Sequence, residues 1–271
     1  MTPKREAAFR VFKYSVYSLV TLNVALFLLD EHAAAAHFFA GGVSMAQFIE
    51  AYAATIDTAA WVLLLLLFEL ETSVIPDEQL KGNTKRLLHG VRASCYLVIV
   101  YAFYGYLINC LSLYQYVALP GASLCELVSE GFSFQLGLDD YSSITSQNCA
   151  NLAADASLYG PAGLDFVTDA STLNEMIWLA WVDAINSAAW LLVVLVLEID
   201  VRLQLKGLLE GMALIVSKVI KSALYAVLFV AALYWGVAGT FLDFWDAFLW
   251  LAAFIFIELN MFEWKSETSS G

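Results

Sequence analysis

Charged residues are scarce in this chain: Asp, Glu, Lys and Arg make up only 14% of its 271 residues, whereas 61% are hydrophobic. About a quarter of the residues of a soluble globular domain are charged, so the composition excludes an ordinary soluble domain. Runs of about 20 mostly apolar residues are long enough to cross a bilayer as helices. We therefore predict an all-α integral membrane protein with six transmembrane helices, at residues 13–30, 52–70, 93–117, 176–197, 219–239 and 244–262.

Proline, histidine and cysteine are also rare, and each shortage argues against certain kinds of functional site. None of the four prolines lies in a predicted span, so we do not expect the interrupted helices that form the sites of many secondary transporters. Three histidines and the absence of a C-x-x-C motif leave too few ligands for a zinc or di-iron centre. We predict no metal site and no cofactor, and an enzyme is the least favoured class.

Lys and Arg are absent from every second loop. All 13 lie before the first span, between spans two and three, between spans four and five, or after span six. Because positive residues concentrate in cytoplasmic loops, both termini are predicted to be cytoplasmic and the loops without Lys or Arg to face outward. The protein is thus predicted to be integral to the plasma membrane, with the lipid bilayer as its first partner; the pattern leaves homo-oligomers and hetero-oligomers open.

The formal charge of −13 indicates which charged partners, nucleic acids or cations, the protein is expected to attract. A strongly acidic protein repels nucleic acid and raises the local concentration of cations. Acidic loops also keep an external surface hydrated, so the net charge by itself does not establish transport. It does exclude nucleic acid as an expected partner.

A pattern of charged and aromatic residues occurs three times, each time across two predicted spans. Its first half consists of two basic residues and a tyrosine at positions i, i+3 and i+7: Arg10, Lys13 and Tyr17; His89, Arg92 and Tyr96; Lys218, Lys221 and Tyr225. Its second half is Asp or Asn, Trp four residues later and Glu eight residues after the Trp: Asp57, Trp61 and Glu69; Asn186, Trp190 and Glu198; Asp246, Trp250 and Glu258. Fixed spacing of this kind indicates a repeated structural unit.

We interpret the unit as a hairpin of two helices within a single membrane domain, residues 1–271. The three repeats are residues 9–75, 85–204 and 212–265, and the second contains an outward insertion at 118–175. Packing of three equivalent hairpins around one axis would give pseudo-threefold symmetry.

The repeated acids admit two interpretations. In the first, Glu69, Glu198 and Glu258 form a ring near the cytoplasmic side of a cation channel or transporter, since acidic rings select cations in pores. Asp57, Asn186 and Asp246 would form a second layer roughly 18 Å away, from 12 residues at about 1.5 Å each, with Asp183 and Asp243 adding charge above it. In the second, each Glu pairs with a basic residue of its own hairpin, because charged groups in spans usually pair. The protein would then be a non-transporting structural or interaction subunit of a membrane complex.

Two further features of the sequence bear on the structure of the predicted hairpins and of the insertion. Trp61, Trp190 and Trp250 either pack the hairpins together or form a hydrophobic constriction that gates a pore. Cys125 and Cys149 share the outward insertion, and we predict a disulfide between them because outward loops face an oxidising compartment.

The distribution of Lys and Arg predicts that residues 1–12, 72–92 and 199–217 and the C-terminus are cytoplasmic. Single cysteines introduced beside Lys81 or Lys206 should react with a membrane-impermeant maleimide only after the cells are permeabilised. A cysteine beside Asp165, in the insertion, should react in intact cells. External labelling beside Lys81 or Lys206 would contradict the topology.

Overall fold

The computed structural model describes residues 3–38, 42–44, 47–71, 75, 82–155 and 157–268, and it describes side chains except at 3–6, 37–38, 49–50, 205 and 255–268. The described chain is mostly helical. Its long helices are α1 (Pro3–Phe38), α3 (Ala53–Glu69), α4 (Gly82–Leu113), α6 (Ala170–Leu205), α7 (Gly211–Ala238) and α8 (Phe241–Thr268). Two short helices, α2 (Phe48–Ala51) and α5 (Leu124–Leu127), lie in the connections.

Four of the described helices are long and apolar enough to cross a membrane. They cover Ala7–Ala36, Gly82–Leu113, Ala170–Gln204 and Gly211–Ala238. The other two predicted spans, 52–70 and 244–262, fall on α3, which has 17 residues, and on α8, whose side chains are described through Phe254.

The six long helices form a closed ring in chain order. Each contacts the next, α1 with α3, α3 with α4, α4 with α6, α6 with α7 and α7 with α8, and α8 returns to contact α1. Side-chain contacts join the N-terminal parts of α1, α4 and α7 to the C-terminal ends of α3 and α6, so these neighbours are antiparallel. We call the end that carries these contacts the basic end, and the opposite end, where residues 114–169 lie, the insertion end.

One apolar core fills the ring. All six long helices contribute buried side chains to it, and Val20, Ile99 and Val193 have no exposed surface. The outside of the ring is apolar as well: Val237 is 90% exposed and Leu97 is 73% exposed. Exposed apolar side chains of this size are unfavourable in water but not in lipid, so the surface is suited to a bilayer.

The insertion contains a five-stranded sheet, which corrects the all-α prediction. Its strands are β1 (Val117–Ala118), β2 (Ser133–Gln135), β3 (Tyr141–Ser143), β4 (Leu158–Gly160) and β5 (Phe166–Asp169). The strand order is β1-β4-β5-β2-β3, and every pair is antiparallel except β2 with β5. Strands of two to four residues are too short to produce a clear alternation of apolar and polar residues, which is why the sequence did not predict them.

Polar contacts attach the insertion to the helices. Asp169 caps α6 by accepting a hydrogen bond from the backbone N–H of Thr172 at 2.8 Å, and it accepts another from the backbone N–H of Ala154 in the insertion at 2.6 Å. Burial alone would raise the pKa of Asp169, but these hydrogen bonds, together with one from Ser171, hold it below its usual value. On the other side, the Tyr116 hydroxyl donates to Gln135 at 2.9 Å. The sheet therefore sits firmly on α4 and α6.

A disulfide joins Cys125 and Cys149 within the insertion, while Cys95 and Cys110 are free and buried in α4. Changing both bonded cysteines to serine should lower the free energy of unfolding of the insertion by roughly 3 kcal/mol, because the bond limits the unfolded chain. Peptide mapping by mass spectrometry without reductant should show one linked pair and two free thiols. Free thiols at residues 125 and 149 in protein purified without reductant would contradict the pairing.

Candidate functional site

The best-buried ion pair of the described residues lies at the basic end, between α1 and α3. The Lys13 ammonium is 2.7 Å from Oε1 of Glu69, and each of the two residues is only 6% exposed. The Tyr14 hydroxyl donates a second hydrogen bond to the same oxygen at 3.0 Å. A buried pair needs such additional hydrogen bonds to offset the loss of hydration.

Two further ion pairs at this end involve other acids. Arg92 on α4 pairs with Glu71, two residues beyond the end of α3, and Lys221 on α7 lies 2.9 Å from Asp200 on α6. The Ser217 hydroxyl also donates to Asp200 at 2.6 Å. The acid in both pairs is two residues beyond the repeated Glu, and both pairs join helices of two different predicted repeats rather than the two helices of one.

The ion pair between Lys13 and Glu69 departs from this arrangement, and the sequence offers a reason. The residue two positions beyond the repeated Glu is Glu71 in the first copy, Asp200 in the second and Asn260 in the third. Helix α8, which carries Asn260, is the ring neighbour of α1, but asparagine carries no charge. Lys13 instead pairs with Glu69 in its own hairpin.

The structure does not bring the repeated glutamates into one ring. Glu69 is buried, whereas the Glu198 side chain is 52% exposed and pairs with Arg202 one turn along the same helix. Residues two apart on a helix diverge by about 200°, so the inward orientation of Asp200 turns Glu198 outward. The prediction that these two glutamates share an axial layer is therefore wrong. The Glu258 side chain lies outside the described residues.

The basic and aromatic residues of the repeat occupy consistent positions. The first basic residue of each copy is exposed: Arg10, His89 and Lys218. The second is buried or partly buried and pairs with an acid: Lys13, Arg92 and Lys221. The tyrosines face inward to different extents, with Tyr17 buried and Tyr96 and Tyr225 partly buried.

The three repeated tryptophans belong to one aromatic layer inside the ring. The ring centroid of Trp61 lies 6.2 Å from that of Trp190 and 6.3 Å from that of Trp250. Phe254 completes the layer, 4.5 Å from Trp190. All four side chains are buried, so they close the interior of the ring at this level.

Carboxylates occupy the interior between this layer and the insertion end. Asp246 accepts a hydrogen bond from the Asn23 amide at 2.7 Å, and Asp183 accepts one from the Trp235 indole at 2.9 Å. Asp57 is close enough to Asp246 for their charges to interact, and Tyr106 faces it. Oδ1 of Asp57 is buried and has no hydrogen-bond partner in the described part of the chain.

These acids are partly buried, and so is Asn186, the third member of the predicted layer. No three His, Cys, Asp or Glu side chains among the described residues are arranged to hold a metal ion. The acids are thus spread along the interior instead of forming a compact chelate. We refer to Asp57, Asp183, Asp243 and Asp246 as the acidic layer.

No Lys or Arg of the same chain lies near the acidic layer. The sequence has no Lys or Arg at 14–80, 93–201 or 222–264, and these ranges include every helical turn near the acidic layer. The hydrogen bonds that Asp183, Asp243 and Asp246 accept come from neutral donors: an indole, the hydroxyl and backbone N–H of Thr240, and an amide.

Sequence reasoning placed Asp57 and Asp246 together but did not find Asn23, Tyr106 or Trp235. These residues lie outside the threefold pattern, and only their contacts reveal them. The one sequence feature that could have indicated any of them is Asn23, a polar residue within a mostly apolar stretch of α1.

Comparison with protein-family models, with curated proteins and with solved structures found no match to this chain. Function must therefore be argued from the residues alone. Their arrangement provides ion pairs at one end, an aromatic layer in the middle and unbalanced carboxylates towards the other end.

The contrast between Glu69 and Glu198 can be tested by the same substitution at both positions. Glu69→Gln should lower the free energy of unfolding by about 3 kcal/mol, because it leaves the buried Lys13 ammonium without a counter-charge. Glu198→Gln should change it by less than about 1 kcal/mol, as for other exposed pairs. Chemical denaturation of both variants in detergent micelles measures the difference. Equal losses would contradict the assignment of one buried and one exposed glutamate.

Proposed function

We propose that the protein is a cation channel or transporter, and that cations enter its interior from the insertion end through the acidic layer. The observation that carries the proposal is the position of these four carboxylates inside a ring of apolar helices that supplies no Lys or Arg near them. The tryptophan layer closes the interior beyond them, so the conformation described is a closed one.

Electrostatics favours a cation as the missing partner. A charged carboxylate inside a membrane protein is costly unless it is paired or reaches water. The neutral donors around Asp183 and Asp246 can orient a carboxylate but cannot cancel its charge. Each acid must therefore take up a proton or have a cation nearby, and the proposal takes the second of these conditions. The buried, unpartnered oxygen of Asp57 is a ready ligand for such a cation.

The same proposal includes the topology. Six spans arranged as three two-helix hairpins would place both termini in the cytoplasm and the insertion outside the plasma membrane. Three observations support it: Lys and Arg are confined to alternate connections, the six long helices follow one another around a ring, and the repeated tryptophans meet inside that ring. Cations would then enter from the outside, where the insertion lies beside the entrance.

The ion pairs at the basic end favour a second candidate, a structural subunit held together by charge. Arg92 with Glu71 and Lys221 with Asp200 each join adjacent hairpins, which is what a structural belt requires. A belt of this kind explains the basic end without any transport. It does not explain why four carboxylates lie in the other half of the interior without positive partners.

The proposal predicts that cation flux depends on the acidic layer. In protein reconstituted into liposomes, Asp57→Asn and Asp246→Asn should each lower cation flux on the order of tenfold, because an acidic site raises the local cation concentration by 10-fold or more. Asparagine is similar in size and keeps hydrogen bonding, so the fold should survive. Flux of Na⁺, K⁺, H⁺, Ca²⁺ and Mg²⁺ would be followed with ion-sensitive dyes under an applied potential.

Glu198→Gln is the matched control, because it removes one carboxylate from an exposed site at the basic end. Flux through this variant should equal that of the unmodified protein. The conduit proposal fails if the unmodified protein carries none of these cations, or if the asparagine variants conduct as it does. In that case the structural subunit is the better account.

A further inference from the structure

We propose that Glu69, Tyr14 and Tyr17 form a second cation site, and that the Lys13 ammonium is its resident occupant, which slows passage along the pathway because a cation must displace it. This inference rests on the proposed function and extends it from the entrance to the basic end. It identifies the site's ligand class as a small cation and assigns Lys13 a regulatory role.

The Lys13 ammonium is surrounded as a bound cation would be. Its nitrogen lies 2.7 Å from Oε1 of Glu69, 5.0 Å from the ring centroid of Tyr14 and 5.9 Å from that of Tyr17. A carboxylate and two aromatic faces are a favourable environment for a cation removed from water. The Lys13 and Glu69 side chains are only 7% and 8% exposed, so the site is built inside the protein.

The site also has unused ligands. Oε2 of Glu69 and the Tyr17 hydroxyl are buried, and neither makes a hydrogen bond of normal geometry with a described residue, although the hydroxyl is close enough to the carboxylate for a weak one between them. Buried polar atoms in native proteins are nearly always satisfied, and an exception requires an explanation. Tyr17 faces the Glu69 carboxylate, so the two oxygens lie on the same side of the site. They are suited to a cation or its water, which a single ammonium bonded to Oε1 does not replace.

The location connects this site with the proposed pathway. Tyr17 belongs to the same buried cluster as Trp61, Trp190 and Trp250, so the site adjoins the tryptophan layer on the side away from the acidic layer. Asp57, Trp61 and Glu69 follow one another along α3, and the two acids are 12 residues apart, or roughly 18 Å. A cation passing the tryptophans would therefore reach Glu69 next.

The other two ion pairs do not have these properties. The Arg92 and Glu71 side chains are 31% and 21% exposed, and those of Lys221 and Asp200 are 22% and 11% exposed. Both pairs are on boundaries between hairpins, and no unpartnered oxygen of Glu71 or Asp200 is found among the buried atoms of the described residues. Lys13 also differs from Arg92 and Lys221 because it pairs with the repeated Glu itself, whereas they pair with the acid two residues beyond it.

The inference predicts a gain of cation binding, which a purely structural pair would not produce. Lys13→Met keeps the length of the side chain and removes its charge, so the buried carboxylate needs a new counter-ion. The melting temperature of the full chain in detergent would be compared in NaCl, KCl and N-methyl-D-glucamine chloride at one ionic strength. For Lys13→Met we expect a value about 3 °C or more higher in the small cations, since a ligand stabilises the state that binds it.

Three comparisons complete this experiment. The unmodified protein should respond to the small cations by a smaller amount, because only the acidic layer is open to them while Lys13 occupies the second site. The double variant Lys13→Met, Glu69→Gln should return to this smaller response, since it lacks the carboxylate. Arg92→Met should also show only the response of the unmodified protein, because Glu71 reaches water and is neutralised equally by any salt. A Lys13→Met protein that responds no more than the unmodified protein would overturn the inference.

Flux gives a second, independent readout. Lys13→Met in liposomes should carry cations on the order of tenfold faster than the unmodified protein, as expected when an acidic site becomes free to concentrate them. If Lys13→Met does not fold, Lys13→Ala purified with methylammonium replaces it, because this small ammonium ion can take the place of the missing one. Failure of methylammonium to raise its melting temperature above that in N-methyl-D-glucamine would overturn the inference.

The two proposals fail in distinguishable ways. If Asp57→Asn lowers the flux of the unmodified protein but Lys13→Met gains neither flux nor cation-dependent stability, the conduit stands and the Lys13 assignment falls. If the melting of Lys13→Met responds more to the small cations than that of the unmodified protein but no variant transports, the site binds a cation outside any pathway, and both the conduit and the role of Lys13 in slowing passage are overturned.

Discussion

The unequal distribution of positive charge between the two halves of the ring is the constraint on which the rest of the structure depends. Both halves bury carboxylates in an apolar interior, where a charge without a partner is costly. At the basic end each buried acid has a Lys or Arg within hydrogen-bond distance. Towards the insertion end the acids have only neutral donors. The charges at the basic end are therefore balanced within one chain. The acids towards the insertion end need an ion or a proton from outside.

The closed ring makes this division effective. Each long helix has two neighbours, so a side chain that points inward meets the others across the interior instead of reaching lipid. This is how residues as distant in sequence as Asn23 and Asp246 become hydrogen-bonded. The tryptophan layer then separates the two halves, since four large aromatic side chains leave the acidic layer and the Lys13 site on opposite sides. Movement of these side chains is the step that any passage through the ring would require.

The insertion gives the acidic half of the ring a rigid boundary. Its sheet is fixed to the start of α6 through Asp169 and to the end of α4 through Tyr116, and the disulfide closes part of its chain. At the same end, Glu31 of α1 accepts hydrogen bonds from the backbone N–H groups of Ala54 and Thr55, at 2.7 and 3.0 Å, where a negative charge favours the start of α3. Asp169 and Glu31 each accept two backbone hydrogen bonds and have a structural role. In this they differ from Asp183 and Asp246, whose donors are neutral side chains.

The sequence by itself predicted a mostly helical membrane protein, because apolar runs are local properties of the chain, and four of the helices are long and apolar enough to cross a membrane. The repeat of three hairpins, inferred from fixed spacings, stays a prediction. The sequence also indicated that Cys125 and Cys149 would pair and that the tryptophans would act alike. It could not determine which of two neighbouring acids points inward: Glu69 is buried and Glu198 is exposed, although the repeat treats them as equivalent. Nor could it reveal the short strands of the insertion. Only the tertiary structure decided these points, because the direction of a side chain depends on the charge that the adjacent helix offers it, and that neighbour is distant in the sequence.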